Sequence, residues 1–172
     1  MHYDVRRLAA GEWRELRGIT LEALRDSPNA FSSSYPDTAA LPDDHWRQRA
    51  AHQATARESA TFTAGDGNGA RVGIAGVEPL ADVPDHVHIH SVYVAPAHRG
   101  AGGPAAELVH AVIRHAREHT TVGALTLGVH EDNERAQAFY RRLGFEPTGK
   151  AVPYVLRPAE RILVLGYPGF RA

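Results

Sequence analysis

Between His86 and Ile113 an apolar strand pattern ending in Val92-Tyr93-Val94 runs into Arg99-Gly100-Ala101-Gly102-Gly103-Pro104 and then into a helical pattern. The order of strand, glycine-rich turn and helix confines the chain to folds in which a tight loop opens onto a helix N-terminus. Glycines let the backbone turn sharply and approach a ligand, and the first-turn N–H groups of a helix have no intrahelical acceptor, so this segment forms a cradle for phosphate oxygens. The helix is predicted from Leu108, Val109, Val112, Ile113 and Ala116, which recur at near-helical spacing, with Glu107, Arg114 and Arg117 off that stripe. A phosphorylated cofactor is the first ligand class this suggests, against an ordinary strand-to-helix turn.

Two other phosphate loops do not fit. The Gly-x-x-x-x-Gly-Lys-Ser/Thr loop is absent, because the only lysine is Lys150. Gly100 to Ala105 satisfies Gly-x-Gly-x-x-Gly/Ala, but too little chain follows for the repeated strand–helix units of a dinucleotide fold.

A second strand–helix unit follows the first. Ala124-Leu125-Thr126-Leu127-Gly128-Val129 reads as a strand, and the segment from Asn133 to Phe145 carries both ends of a helix. Asn133 suits the N-cap and Gly144 the C′ position. Between them Ala136, Phe139, Tyr140 and Leu143 form one stripe predicted to be buried, while Arg141 and Arg142 fall in the last turn, where the helix dipole favours cations.

Together the two units resemble the GNAT superfamily of acetyl-CoA-dependent N-acetyltransferases. The family's pyrophosphate signature, Gln/Arg-x-x-Gly-x-Gly/Ala, maps onto Arg99, Gly100, Ala101, Gly102, Gly103 and Pro104; its Asn-x-x-Ala-x-x-Phe-Tyr-x-x-x-Gly-Phe element maps onto Asn133 through Phe145. The resemblance implies an α/β (α+β) fold, a mixed, mostly antiparallel sheet flanked by helices with splayed central strands. It extends over a first strand near Tyr3 to Arg6, helices around Trp13 to Arg25 and Asp44 to Ala54, and a strand-rich core. Acetyl-CoA is the implied acetyl donor, with Val92, Tyr93 and Val94 holding the pantetheine arm and Arg99 to Pro104 the pyrophosphate. Asn133 steadies the cofactor arm, and Tyr140 protonates the departing thiolate. One departure is Pro104 where the signature has Gly or Ala. Proline lacks an N–H, but it is favoured at the first helical position, where the helix does not need that donor.

For the base that takes the amine's proton, some relatives place a glutamate where this chain has Gly128, and others an acidic residue where it has His88. The resemblance therefore makes His88 the first choice, with His90, Glu78 and His130 behind it. A histidine near its ordinary pKa of about 6.5 suits that role. His86, His88 and His90 alternate on one strand face and two could share a metal, but no third-ligand motif such as His-Glu-x-x-His accompanies them, and no metal is expected. Val87 and Ile89 alternate in one phase and Val92 and Val94 in the other, which predicts a β-bulge near His90-Ser91.

At 172 residues the chain is read as one N-acetyltransferase domain spanning 1–172. A formal charge of −1 with no basic run gives no footprint for nucleic acid, and there is no apolar run of membrane length and no secretory pattern, so a cytoplasmic location is expected. Absence of cysteine excludes disulfides and a cysteine nucleophile. Asp66-Gly67-Asn68-Gly69 reads as a hairpin turn, Leu80 to Pro84 as a loop, and Lys150 to Tyr154 with Ile162 to Leu165 as a closing antiparallel pair. The Ser27-Pro28-Asn29 turn and the Ser32 to Pro36 stretch separate the first two helices. The expected partner is a small-molecule amine or a peptide N-terminus, and the surface is open to homodimer formation. The rival class is an acyl-CoA-binding or interaction module without turnover, which thiol release with a panel of amines would distinguish.

Overall fold

The computed structural model describes residues 2–172. Its strands are β1 (Asp4–Arg7), β2 (Ala60–Gly65), β3 (Arg71–Pro79), β4 (His86–Val94), β5 (Ala124–His130), β6 (Glu146–Tyr154) and β7 (Arg157–Gly166). They form one sheet in the order β1-β2-β3-β4-β5-β7-β6, in which only β4 and β5 pair in parallel. The helices are α1 (Trp13–Asp26), α2 (Tyr35–Ala39), α3 (Asp43–Thr55), α4 (Ala105–His119) and α5 (Glu134–Arg142). This is the mixed, mostly antiparallel sheet flanked by helices that the sequence motifs imply.

Each face of the sheet buries its own cluster. On one side the α4 stripe of Leu108, Val109, Val112, Ile113 and Ala116 packs with Val87, Ile89, Leu125 and Leu127. On the other, Leu16 and Ile19 of α1 and Trp46 and Ala50 of α3 cover Ile74 and Tyr93. Glu107, Arg114 and Arg117 are exposed, as their place off the stripe requires.

The bulge in β4 lies where the phase slip puts it. Gly76 faces His90 while Ile74 faces Tyr93, so Ser91 and Val92 together oppose Ala75. Ser91 takes φ +55°, a left-handed conformation that costs a non-glycine residue about 1–2 kcal/mol. The slip keeps Val94 in the same cluster as Val87 and Ile89. Just before it β4 and β5 part company: their pairing ends at Ile89 and Leu127, although β4 runs on to Val94 and β5 to His130. A wedge opens between two strands whose facing edges have no ladder partner there.

Several boundaries differ from the sequence expectations. β1 begins at Asp4 rather than Tyr3, and β6 begins at Glu146 rather than near Lys150. The serine-rich stretch contains the short helix α2, capped by Ser34 Oγ accepting from Asp37 N, a local device that five residues show poorly as periodicity. The stripe of α5 is only partly buried, with Tyr140 alone well enclosed, because this face lines a cavity.

Candidate active site

The wedge between β4 and β5 opens into a cleft of about 650 Å³, bounded by the β4 end, the Arg99–Gly103 loop, the start of α4 and the α5 stripe. Val92, Tyr93, Val94, Arg99, Gly100, Ala101, Gly102, Gly103, Asn133 and Tyr140 all line it, so two motifs separated by some thirty residues form one wall system. Pro104 is buried behind the loop and does not line the cleft. It stands at the N-cap, one residue before the expected first helical position, with φ −81°, and its carbonyl accepts from Leu108 N at 2.9 Å. Its missing N–H is unneeded by the helix at either position.

The loop has the form of an anion cradle. Gly100 and Gly102 take φ +97° and +80°, which glycine alone adopts freely. Gly103 N donates to Gly100 O at 3.1 Å, closing a turn. A Cβ at Gly103 would collide with the His98 carbonyl oxygen, so only glycine fits there. The N–H groups of Gly100, Ala101 and Gly102 find no acceptor among the described residues, and Ala105 and Ala106 add the orphan donors of the first helical turn. These free donors and the tight loop suit the pyrophosphate of a coenzyme.

Arg99 and Tyr93 serve the walls differently from a direct phosphate contact. Arg99 pairs with Asp26 at the end of α1, donates from Nε to Val94 O at 2.7 Å, and lies over the Tyr93 ring. Hydrogen bonds from Ser27 and Arg99 hold the Asp26 carboxyl below its usual range. The Tyr93 hydroxyl donates to Glu22 at 3.0 Å, so its ring belongs to the α1 side and its backbone to the cleft. Asn133 Oδ1 accepts from Ala136 N at 3.1 Å and so caps α5 while lining the cleft. Sequence reasoning missed Ser27, Ala30 and His98, as well as Arg135 and Arg142, whose guanidinium-bearing side chains border the cleft without an ion pair among the described residues.

A second cavity of about 510 Å³ meets the first at Ala30, Val92, Asn133, Ala136 and Tyr140. Tyr140 is 7% exposed, packs edge-on against Phe145, and has a hydroxyl with no hydrogen-bond partner among the described residues. Burial pushes its pKa up, so the group stays a phenol and a proton donor at neutral pH. His88, His90, Glu78, Gly128 and His130 all line the second cavity.

The histidines sit in different circumstances. Burial pushes His88 down to about 4, helped by His90 and His86 and opposed by Glu78, rather than leaving it near 6.5. His86 Nε2 and His88 Nδ1 both contact Thr126 Oγ1, at 2.5 and 3.0 Å. With its proton on Nδ1, His88 donates to Thr126 and Nε2 is left as an acceptor. His90 is likewise pushed down to about 4 by burial and Arg49. His130 is saturated: Nε2 is 2.6 Å from Glu160, and Nδ1 accepts from Asp132 N at 3.2 Å, so the imidazole has no free nitrogen to act as a base. No group of three His, Cys, Asp or Glu side chains among the described residues is arranged to hold a metal ion.

Comparison with known proteins agrees with this geometry. The sequence profile of the acetyltransferase (GNAT) family matches residues 20–145. The chain is similar to the N-alpha-acetyltransferase RimI of Mycobacterium tuberculosis, 29% identical over 132 residues that cover 76% of this chain and 80% of that protein. Among solved structures it is similar to a ribosomal-protein-alanine N-acetyltransferase from Brucella melitensis (TM-score 0.76, 21% identity, covering 95% and 98% of the two chains). A phosphinothricin acetyltransferase from Sinorhizobium meliloti, solved with acetyl-CoA, superposes equally well (TM-score 0.76, 17% identity, covering 96% and 88%).

Proposed function

The chain belongs to the GNAT family of acetyltransferases, and from that premise we propose that it transfers the acetyl group of acetyl-CoA to a primary amine by direct attack, with Tyr140 as the acid and His88 as the base. The observation that carries this reading is the junction of the two cavities at Tyr140, where a donor in the cleft and an acceptor in the second cavity would meet. Acetyl-CoA supplies an activated thioester. The loop from Gly100 to Gly103 and the first turn of α4 bind its phosphates, and the unpaired edge of β4 from His90 to Val94 aligns its amide-bearing arm.

As the amine attacks, His88 Nε2 accepts its proton, in the tautomer whose Nδ1–H donates to Thr126 Oγ1. Tyr140 then donates from its hydroxyl to the sulfur as the carbon–sulfur bond breaks. A base of pKa about 4 stays neutral across the physiological range, so it is always ready to accept, though with a small driving force.

The sign of the pH dependence follows from that depression. His88 acts only when neutral, so the acidic limb of kcat is expected near pH 4 rather than near 6.5. His88→Gln keeps a hydrogen bond to Thr126 but no basic nitrogen, and should lower kcat by about a hundredfold while abolishing that limb. Stopped assays of thiol release from pH 4 upward would check it; an unchanged profile would move the proton to Glu78, His90 or water.

A further inference from the structure

The second cavity contains one guanidinium, Arg49, and one carboxylate, Glu78, besides its histidines. Arg49 is half-buried and has no carboxylate within ion-pair distance among the described residues, whereas Arg47 on the same helix is paired with Asp44 at 2.7 Å. A cation drawn partly out of water without a counter-charge is costly. Two more polar atoms of residues lining this cavity are unsatisfied: His45 Nε2 and His90 Nε2 are buried without a hydrogen bond among the described residues. Glu78 Oε2 stands 3.7 Å from His90 Nε2, beyond hydrogen-bond reach.

These groups are gathered from two elements. His45 and Arg49 lie one turn apart on α3, on the same helix face, and His90 precedes the strained Ser91 of the β4 bulge. Gly76 on β3 makes room for the His90 ring, since a Cβ there would overlap it. With Ser91 Oγ donating to Nδ1 at 3.0 Å, His90 presents an Nε2–H. Folded proteins leave few buried polar groups unpaired. Arg49 always donates, and each imidazole donates in the tautomer that carries its proton on Nε2, so these three side chains bordering one cavity, unpaired among the described residues, suit one missing partner: a compact anion.

We propose that the acceptor is a small amine that carries its own carboxylate, which Arg49 binds with His45 and His90 donating beside it. This rests on the acetyltransfer reading and names its substrate class. Glu78 stands in the same cavity as the group suited to the ammonium end, and Leu24, Phe31 and Leu41 offer an apolar surface to the body of the molecule. A polyamine would bring only positive charge to Arg49.

Matched pairs of acceptors test this: L-methionine against L-methioninamide, and β-alanine against propylamine, each with acetyl-CoA and thiol release as the readout. The wild-type protein is expected to favour the carboxylate member of at least one pair by about ten- to a hundredfold in kcat/KM, the range of a hydrogen-bonded charged partner. In the methionine pair the preference would run against the amide's larger fraction of free amine. Arg49→Met should collapse that ratio towards unity through KM, and Arg49→Lys should restore part of it. Equal turnover within both pairs, or a ratio that survives Arg49→Met, would overturn the proposal while leaving acetyl transfer intact. Calorimetric titration of the acetyl-CoA-loaded protein with the same compounds separates the two readings. Arg49-dependent binding of the carboxylates without turnover would support the acceptor site and reject the acetyltransfer reading instead.

Discussion

Tyr140→Phe is expected to lower kcat by about 10²- to 10⁴-fold, the range for a positioned general acid, while the Kd for acetyl-CoA stays within a few-fold. The substitution removes one oxygen, a hydroxyl without a partner among the described residues, so it orphans no other group. The ring remains in the core between Phe139 and Phe145. Stability should therefore hardly change, and any loss of rate reports chemistry rather than folding. Because burial raises the pKa of Tyr140, no basic limb should arise from its ionisation in the neutral range. Single-turnover measurements at saturating acetyl-CoA and amine would check the number; an unaltered kcat would return Tyr140 to a packing role.

Gly103→Ala is expected to raise the Kd for acetyl-CoA by about a hundredfold or more, as two or more hydrogen bonds to charged phosphate oxygens are lost at about 1.5–3 kcal/mol each. The new Cβ would fall on the His98 carbonyl oxygen and within 3.2 Å of Gly100 O, both backbone atoms that cannot swing aside. Relief requires the loop to open, which displaces the free N–H groups of Gly100, Ala101 and Gly102. The sheet and α4 lie outside this loop, so the ligand-free Tm should fall only modestly. Binding calorimetry beside a melting curve distinguishes the two effects. Unchanged affinity would mean that the shape of the loop does not hold the cofactor.

What the sequence reveals most clearly are the features encoded by a few neighbouring residues. Positive φ at Gly100, Gly102 and Gly144 is a local demand that only glycine meets cheaply, and Asn133 caps its helix with its own side chain. The bulge at Ser91 is legible because a single slip of phase in a two-residue period has one simple cause. Long-range features are not legible in the same way. The insertion of β7 between β5 and β6 leaves no local mark. Nor does the pairing of Arg99 with Asp26, which are far apart in sequence and meet only once α1 and the glycine loop are both in place. The depressed pKa of His88 arises from burial beneath elements distant along the chain, and two histidines nearby add to it. Arg49 and His45 lie on a helix whose weak apolar stripe gives no sign of which face meets a cavity.

On the proposed reading, one wedge beside the bulge in β4 brings acetyl-CoA and an amine together at Tyr140. The most direct test of that reading follows thiol release and the acetylated amine in the same reaction, across amines with and without a carboxylate, while the rise in Tm with acetyl-CoA confirms binding. Amine-dependent release of thiol, equal in amount to acetylated amine and abolished with Tyr140→Phe, is the expected result. A protein that is stabilised by acetyl-CoA but releases no thiol in response to any amine would contradict it.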